Sequence, residues 1–286
     1  MAENTQLDPR LNAYRADMAH VALQGVVQSE RFVEPKLYQC IKGLAPMLAE
    51  PKGTAPRISE TRYGEFLDVF ETREDGYAWV QNRNDSTVGY ILAEKALLET
   101  IAALVNRVSA LHTFVYREPD IKSATLDRLT LGSFVSLDGE DGEFYVLASG
   151  GYVYKKHIVP SDEVQTPDYV FTAGQLLGVP YLTGGRTPLG IDSCGLVQLA
   201  LDLAGHEAPR FYEQIHEVYG HPLPCHWRDI LWKRGDLVFF DRTQHIAIVT
   251  GPDHVIHASP QTMTVTVEPL DAMVKRGYII SAAGRP

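Results

Sequence analysis

The sequence predicts an α+β protein: two small antiparallel β-barrels in tandem, then a domain in which a helix packs on an antiparallel sheet. Three observations predict it. The chain has 286 residues, 45% hydrophobic and 22% charged, the balance of a soluble globular protein with room for more than one core. Its first half carries an internal repeat of short β-branched and aromatic runs separated by Asp-Gly and Gly-Gly turns. Near Pro167 the pattern changes to an amphipathic run, a helical run after Asp192, and strand-like runs that carry His245 and His257.

In chain order, residues 1–34 read as an N-terminal arm and residues 35–98 as the first barrel. Glu50-Pro51 and Gly64 recur as Glu118-Pro119 and Gly132 at unchanged spacing. Gly64-Glu65-Phe66-Leu67 answers Gly132-Ser133-Phe134-Val135, and Trp79-Val80 answers Tyr145-Val146. Val88-Gly89-Tyr90-Ile91 answers Gly150-Gly151-Tyr152-Val153, with extra residues in the first copy between 81 and 87, as a surface loop tolerates. Between the copies, Leu97, Leu98, Ile101, Leu104, Val105 and Val108 have helical spacing and predict a linker helix over 93–108. Residues 99–165 therefore read as linker helix and second barrel. The pattern Gly-x-Phe, a turn, an aromatic followed by Val, and Gly-Tyr-Ile/Val resembles bacterial SH3-like domains.

Residues 166–286 carry the chemistry. The run from Ser193 to Leu201 is helical, with Asp192 or Ser193 at its cap, and places Cys194 at the positive end of the helix dipole, where a thiol is expected to lose its proton more readily. Leu237 to Phe240 reads as a strand after a Gly235-Asp236 turn, His245 opens a second strand, and His257 lies in a third. A nucleophile on a helix end, a base on a facing strand and an orienting polar group on the next strand is the arrangement a Cys/His hydrolase needs. Asp192 and Asp236 are explained by capping and turn roles. Cys40, among apolar neighbours, reads as a buried small hydrophobe, so Cys194 is the thiol expected to react, ahead of Cys40 and Cys225.

From Tyr169 to the end the chain resembles the NlpC family of papain-like cysteine peptidases. Pro180-Tyr181-Leu182, Gly184-Gly185-Arg186, Gly195-Leu196-Val197-Gln198, Arg234-Gly235-Asp236-Leu237-Val238-Phe239, His245 and Ile256-His257-Ala258 carry the resemblance. With two SH3-like modules in front, the chain is similar to members that hydrolyse the bond between γ-D-glutamate and a diamino acid in free wall peptides, without metal or organic cofactor. The resemblance implies His245 as general base and acid, His257 as its orienting partner, and backbone N–H groups at the helix start as part of an oxyanion hole. It implies Asp192 as the acceptor for the substrate's amino group and Tyr181 as a wall of the cleft. Glu65 and Tyr90 on the first module would complete the pocket. Where the family reads Asp-Cys-Ser-Gly, this chain reads Asp192-Ser193-Cys194-Gly195, and Thr183 stands where members generally carry Trp. A one-residue move rotates a side chain by about 100° and shifts it by about 1.5 Å, so either Cys194 or Ser193 attacks, or the protein is an impaired homologue that binds the same peptides.

Lys and Arg number 26 against 36 Asp and Glu, a formal net charge of −10 that opposes binding to nucleic acid. No run reaches the roughly 18 apolar residues of a membrane span. Three scattered cysteines and a start without a basic and apolar leader predict the cytoplasm, or the periplasm if a leader has been removed. The segment His221-Pro222-Leu223-Pro224-Cys225-His226 lacks the ligand spacing of a structural zinc site and reads as a surface loop.

Overall fold

A computed structural model describes residues 7–93, 97–98, 105–162, 164 and 166–286. The chain divides into two compact units, Met1–Asp162 and Glu163–Pro286.

The first unit holds both repeats. Among the described residues, the first copy forms a seven-stranded antiparallel sheet in the order Arg57–Arg62, Leu44–Leu48, Val88–Leu92, Tyr77–Asn82, Phe66–Thr72, Lys36–Cys40, Leu97–Leu98. Period-2 alternation sends Leu67, Val69, Ala78, Val80, Ile91, Met47 and Cys40 into one core. The second copy is built from a five-stranded and a three-stranded sheet around Val115, Leu129, Val135, Leu147 and Val153. The repeat is visible in the pairings, since Leu48 lies opposite Tyr90 in one copy and Tyr116 opposite Tyr152 in the other. The glycine before each tyrosine has the same reason to be there. A Cβ on Gly89 would come within 2.6 Å of Met47, and one on Gly151 within 2.6 Å of Val115, so both strands cross too closely for a side chain.

The predicted linker helix over 93–108 is corrected where it can be seen. Leu97–Leu98 pairs with Gln39 and Cys40, and Asn106–Val108 is a strand between Phe134–Val135 and Ile158–Pro160. Sheet partners on either side outweigh the helical spacing of the apolar residues. The rest of that prediction, 94–96 and 99–104, lies outside the described residues.

The two copies share structure. Tyr63 of the first is part of the core of the second, and Phe134 N–H donates to the Tyr63 carbonyl at 3.0 Å. Gly43 N–H donates to the Asp127 carboxylate at 2.9 Å. The arm packs on the first copy through Ala13 and Met18, which join Trp79 and Val88, while the Arg15 guanidinium lies 4.2 Å over the Trp79 ring.

The second unit has four α-helices among the described residues, α1 (Tyr169–Gln175), α2 (Ser193–Leu203), α3 (Tyr212–Tyr219) and α4 (Leu270–Lys275). Its sheet contains β1 (His221–Pro222), β2 (Leu237–Phe240), β3 (His245–Gly251), β4 (His254–Ser259), β5 (Thr264–Pro269) and β6 (Ala282–Gly284). The strand order is β1-β6-β2-β3-β4-β5, antiparallel throughout. Helix α2, apolar nearly all round, is buried along its length and packs on β3 and β4. His221 and Pro222, predicted in a loop, pair with Ala283 and Ala282. No described helix is long and apolar enough to cross a membrane.

Candidate active site

Helix α2 begins at a tightly held corner. Asp192 is its N-cap, and Gly195 N–H donates to Asp192 Oδ1 at 2.7 Å. Gly184 N–H donates to Oδ2 at 2.9 Å, and Arg210, 2% exposed, forks onto both oxygens at 3.1 and 2.7 Å. Donors from this unit thus reach both oxygens of Asp192, whose side chain remains 16% exposed. Arg210 gave no sequence signal, lying in an irregular stretch after α2.

The corner also fixes which residue stands where. Gly195 lies so close to the Gly185 carbonyl and to Arg186 that a Cβ there would collide with backbone. Asp192 N–H donates to the same Gly185 carbonyl at 3.1 Å. Sliding α2 by one residue would bring Leu196 to this contact, which has no room for it. Ser193 is thus locked as the first helical residue and Cys194 as the second.

Cys194 is buried, and burial pushes its thiol up to about 12, with the negative Asp192 carboxylate adding to the rise. Burial thus opposes the thiolate that the helix end was expected to favour. Cys40 is likewise pushed up to about 12 by burial, whereas Cys225 is exposed. Tyr181 is anchored by its backbone N–H to the Met263 carbonyl at 2.8 Å. Burial raises its hydroxyl, which hydrogen-bonds Thr183 and feels the negative charge of Asp192.

The structure brings the two histidines together on β3 and β4. His245 Nε2 and His257 Nδ1 are 2.8 Å apart, with the rings at right angles. His257 Nε2 lies 2.8 Å from Glu268 Oε1 on β5, and Glu268 also pairs with Arg276 just beyond α4. Burial pushes His245 down to about 3, helped by the neighbouring His257, and Phe240 and Tyr278 wall its ring. Burial lowers His257 too, against the pull of Glu268. Partial burial opposes ionisation of Glu268, but hydrogen bonds from Arg276 and His257 outweigh it and hold the carboxyl below its ordinary value. Glu268 was not anticipated. The signal was present, since Thr266 lies opposite His257 and Glu268 is two residues further on the same strand face.

Residues 178–282 match the NlpC/P60 family, and residues 47–95 match the bacterial dipeptidyl-peptidase SH3 domain. The chain carries an NlpC/P60 domain. Dipeptidyl-peptidase 6 of Lysinibacillus sphaericus is 28% identical over 253 residues, 80% of this chain and 89% of the relative. The γ-D-glutamyl-L-lysine dipeptidyl-peptidase of Bacillus subtilis (strain 168) is 29% identical over 160 residues, 52% of this chain and 51% of the relative. The crystal structure of an NlpC/P60 family protein from Bacillus cereus ATCC 10987 shares the fold, with a TM-score of 0.70 at 16% identity over 87% of this chain and 99% of that one. The α2 corner and the histidine pair both fall inside the NlpC/P60 match.

Glu65 and Tyr90 belong to the first unit. Glu65 is 0% exposed and accepts from Arg62 N–H at 3.0 Å, Arg62 Nε at 2.9 Å and Asn82 Nδ2 at 2.8 Å. The Tyr90 hydroxyl accepts from Arg15 Nη1 at 2.8 Å.

Proposed function

We propose that the protein hydrolyses the amide bond between γ-D-glutamate and a diamino acid in peptides derived from peptidoglycan. The observation that carries the chemistry is the hydrogen-bonded chain from His245 through His257 to Glu268, whose two histidines lie on strands against which α2 is packed. The relatives support the substrate class, one being named for γ-D-glutamyl-L-lysine and two for removal of a dipeptide.

In this reading Ser193 Oγ attacks the γ-glutamyl carbonyl while His245 takes the hydroxyl proton. N–H groups at the open end of α2 stabilise the oxyanion. Collapse of the tetrahedral species breaks the C–N bond, and His245 returns its proton to the leaving amine. Water, deprotonated by His245, then releases the acyl group and restores Ser193.

A specific observation favours a second reading, a peptide-binding homologue of low turnover. The position that α2 presents first holds a serine, and the adjacent thiol is pushed up to about 12. Incubation with L-Ala-γ-D-Glu-diaminopimelate followed by mass spectrometry separates the two. Release of diaminopimelate supports hydrolysis. Binding without release, in both the natural protein and the Ser193→Cys/Cys194→Ser variant, supports the receptor.

A further inference from the structure

We infer that Glu268 is a positioning residue that selects the tautomer of the histidine pair, leaving His245 Nδ1 as the ring atom free to accept a proton. The inference deepens the hydrolase reading and rests on it for its kinetic arm.

Glu268, His257 and His245 form one hydrogen-bonded relay in which the proton of each bond is set by the group before it. Glu268 is ionised and can only accept, so His257 must carry its proton on Nε2 to donate across 2.8 Å. A neutral His257 then has a bare Nδ1, which must accept from His245. His245 therefore holds its own proton on Nε2, and a neutral ring protonated there has its lone pair on Nδ1. Among the described residues, Glu268 is the group hydrogen-bonded to the histidine pair that fixes a tautomer. The same two rings could pass the bond in the opposite sense, with the His245 proton on Nδ1, where it blocks the base.

Arg276 completes the device. It and His257 converge on the same oxygen of Glu268, Oε1. Arg276 keeps the carboxylate charged and so a weak competitor for the imidazole proton. Phe240 and Tyr278 flank the His245 ring. Phe240 is apolar, and the Tyr278 hydroxyl is engaged with Gln261 at 2.8 and 3.0 Å. Glu268 and Arg276 are the charged groups that act on His257.

Side-chain ¹⁵N NMR of the full chain at pH 7 tests this without any need for turnover. In the natural protein both His245 and His257 should be protonated on Nε2, with His245 Nδ1 bare. Glu268→Ala should populate the Nδ1-protonated form of His245. Glu268→Gln offers one amide oxygen where both donors converge and should keep the natural tautomers. Kinetics on L-Ala-γ-D-Glu-diaminopimelate should show kcat lowered by roughly 10- to 100-fold in Glu268→Ala, the size of effect that follows when a metal-bound imidazole loses its orienting partner. KM should barely move, and Glu268→Gln should restore most of kcat. Natural protein with His245 protonated on Nδ1, Glu268→Ala with unchanged tautomers, or Glu268→Gln with the tautomers of Glu268→Ala would each overturn the assignment. A tautomer change in Glu268→Ala with no turnover in any variant would uphold it and remove the hydrolase reading instead.

Discussion

Ser193 and Cys194 are neighbours, yet the corner around them treats them differently. The lock of Gly195 on Gly185 puts the hydroxyl first on α2 and the buried thiol second. Exchanging them by Ser193→Cys and Cys194→Ser keeps the recognition residues and changes only the attacking atom. Turnover on L-Ala-γ-D-Glu-diaminopimelate should rise by roughly 100-fold, the low end of what a correctly placed acid–base pair contributes, with little change in KM. A slower variant would show that Cys194 attacks in the natural order. The thiols themselves offer a direct readout. Iodoacetamide at pH 8 should label the exposed Cys225 well before Cys40 and Cys194, as peptide mapping by mass spectrometry will show. At this scale, His245 and His257 were legible only together, as two imidazoles on successive strands that follow a helix bearing Ser193 and Cys194; either alone reads as an ordinary core or surface residue. Glu268 and Arg210 were not legible, because their importance comes from partners across a strand pair or in a separate loop.

Among the elements, α2 depends most on a single side chain. Asp192 caps the helix, ties down Gly184 and neutralises the buried Arg210. Asp192→Ala removes all three contacts, including the fork onto a guanidinium that is 2% exposed. The cost should be roughly 3–5 kcal/mol from breaking the buried ion pair and about 1 kcal/mol from the lost cap, read as a lower urea midpoint. Asp192→Asn keeps one capping oxygen and should lose less. The helix and the histidine strands were legible from periodicity and turn residues, since each has a single face or run to bury. The segment 93–108 was not legible in the same way. Its leucines satisfy a helical spacing, but Leu97–Leu98 and Asn106–Val108 take strand partners that are distant in sequence and leave no local mark.

For the molecule as a whole, the buried imidazoles make acid the weak side. His245 withholds a proton until about pH 3 in the native state, whereas an unfolded histidine binds one near 6.5. Between those values the unfolded chain holds more protons, so stability rises with pH at up to roughly 1.4 kcal/mol per unit for this one group. The contribution is complete above pH 7 and drains away as pH falls from 6.5 toward 3. Thermal melts of the full chain should therefore move down steadily from pH 7 to pH 4, and His245→Gln should flatten that slope. In the first unit the internal repeat was legible, but the dependence of one copy on the other was not. Tyr63→Ala takes a buried ring out of the second copy's core although it lies in the first, and should cost about 3 kcal/mol. Hydrogen exchange should show protection falling in both copies together. That shared tyrosine bears on where the chain can be cut. A truncation between the copies would take Tyr63 from the second copy's core and the Tyr63 carbonyl from Phe134 N–H, so a fragment holding the second copy alone should need a surrogate ring to close its interior.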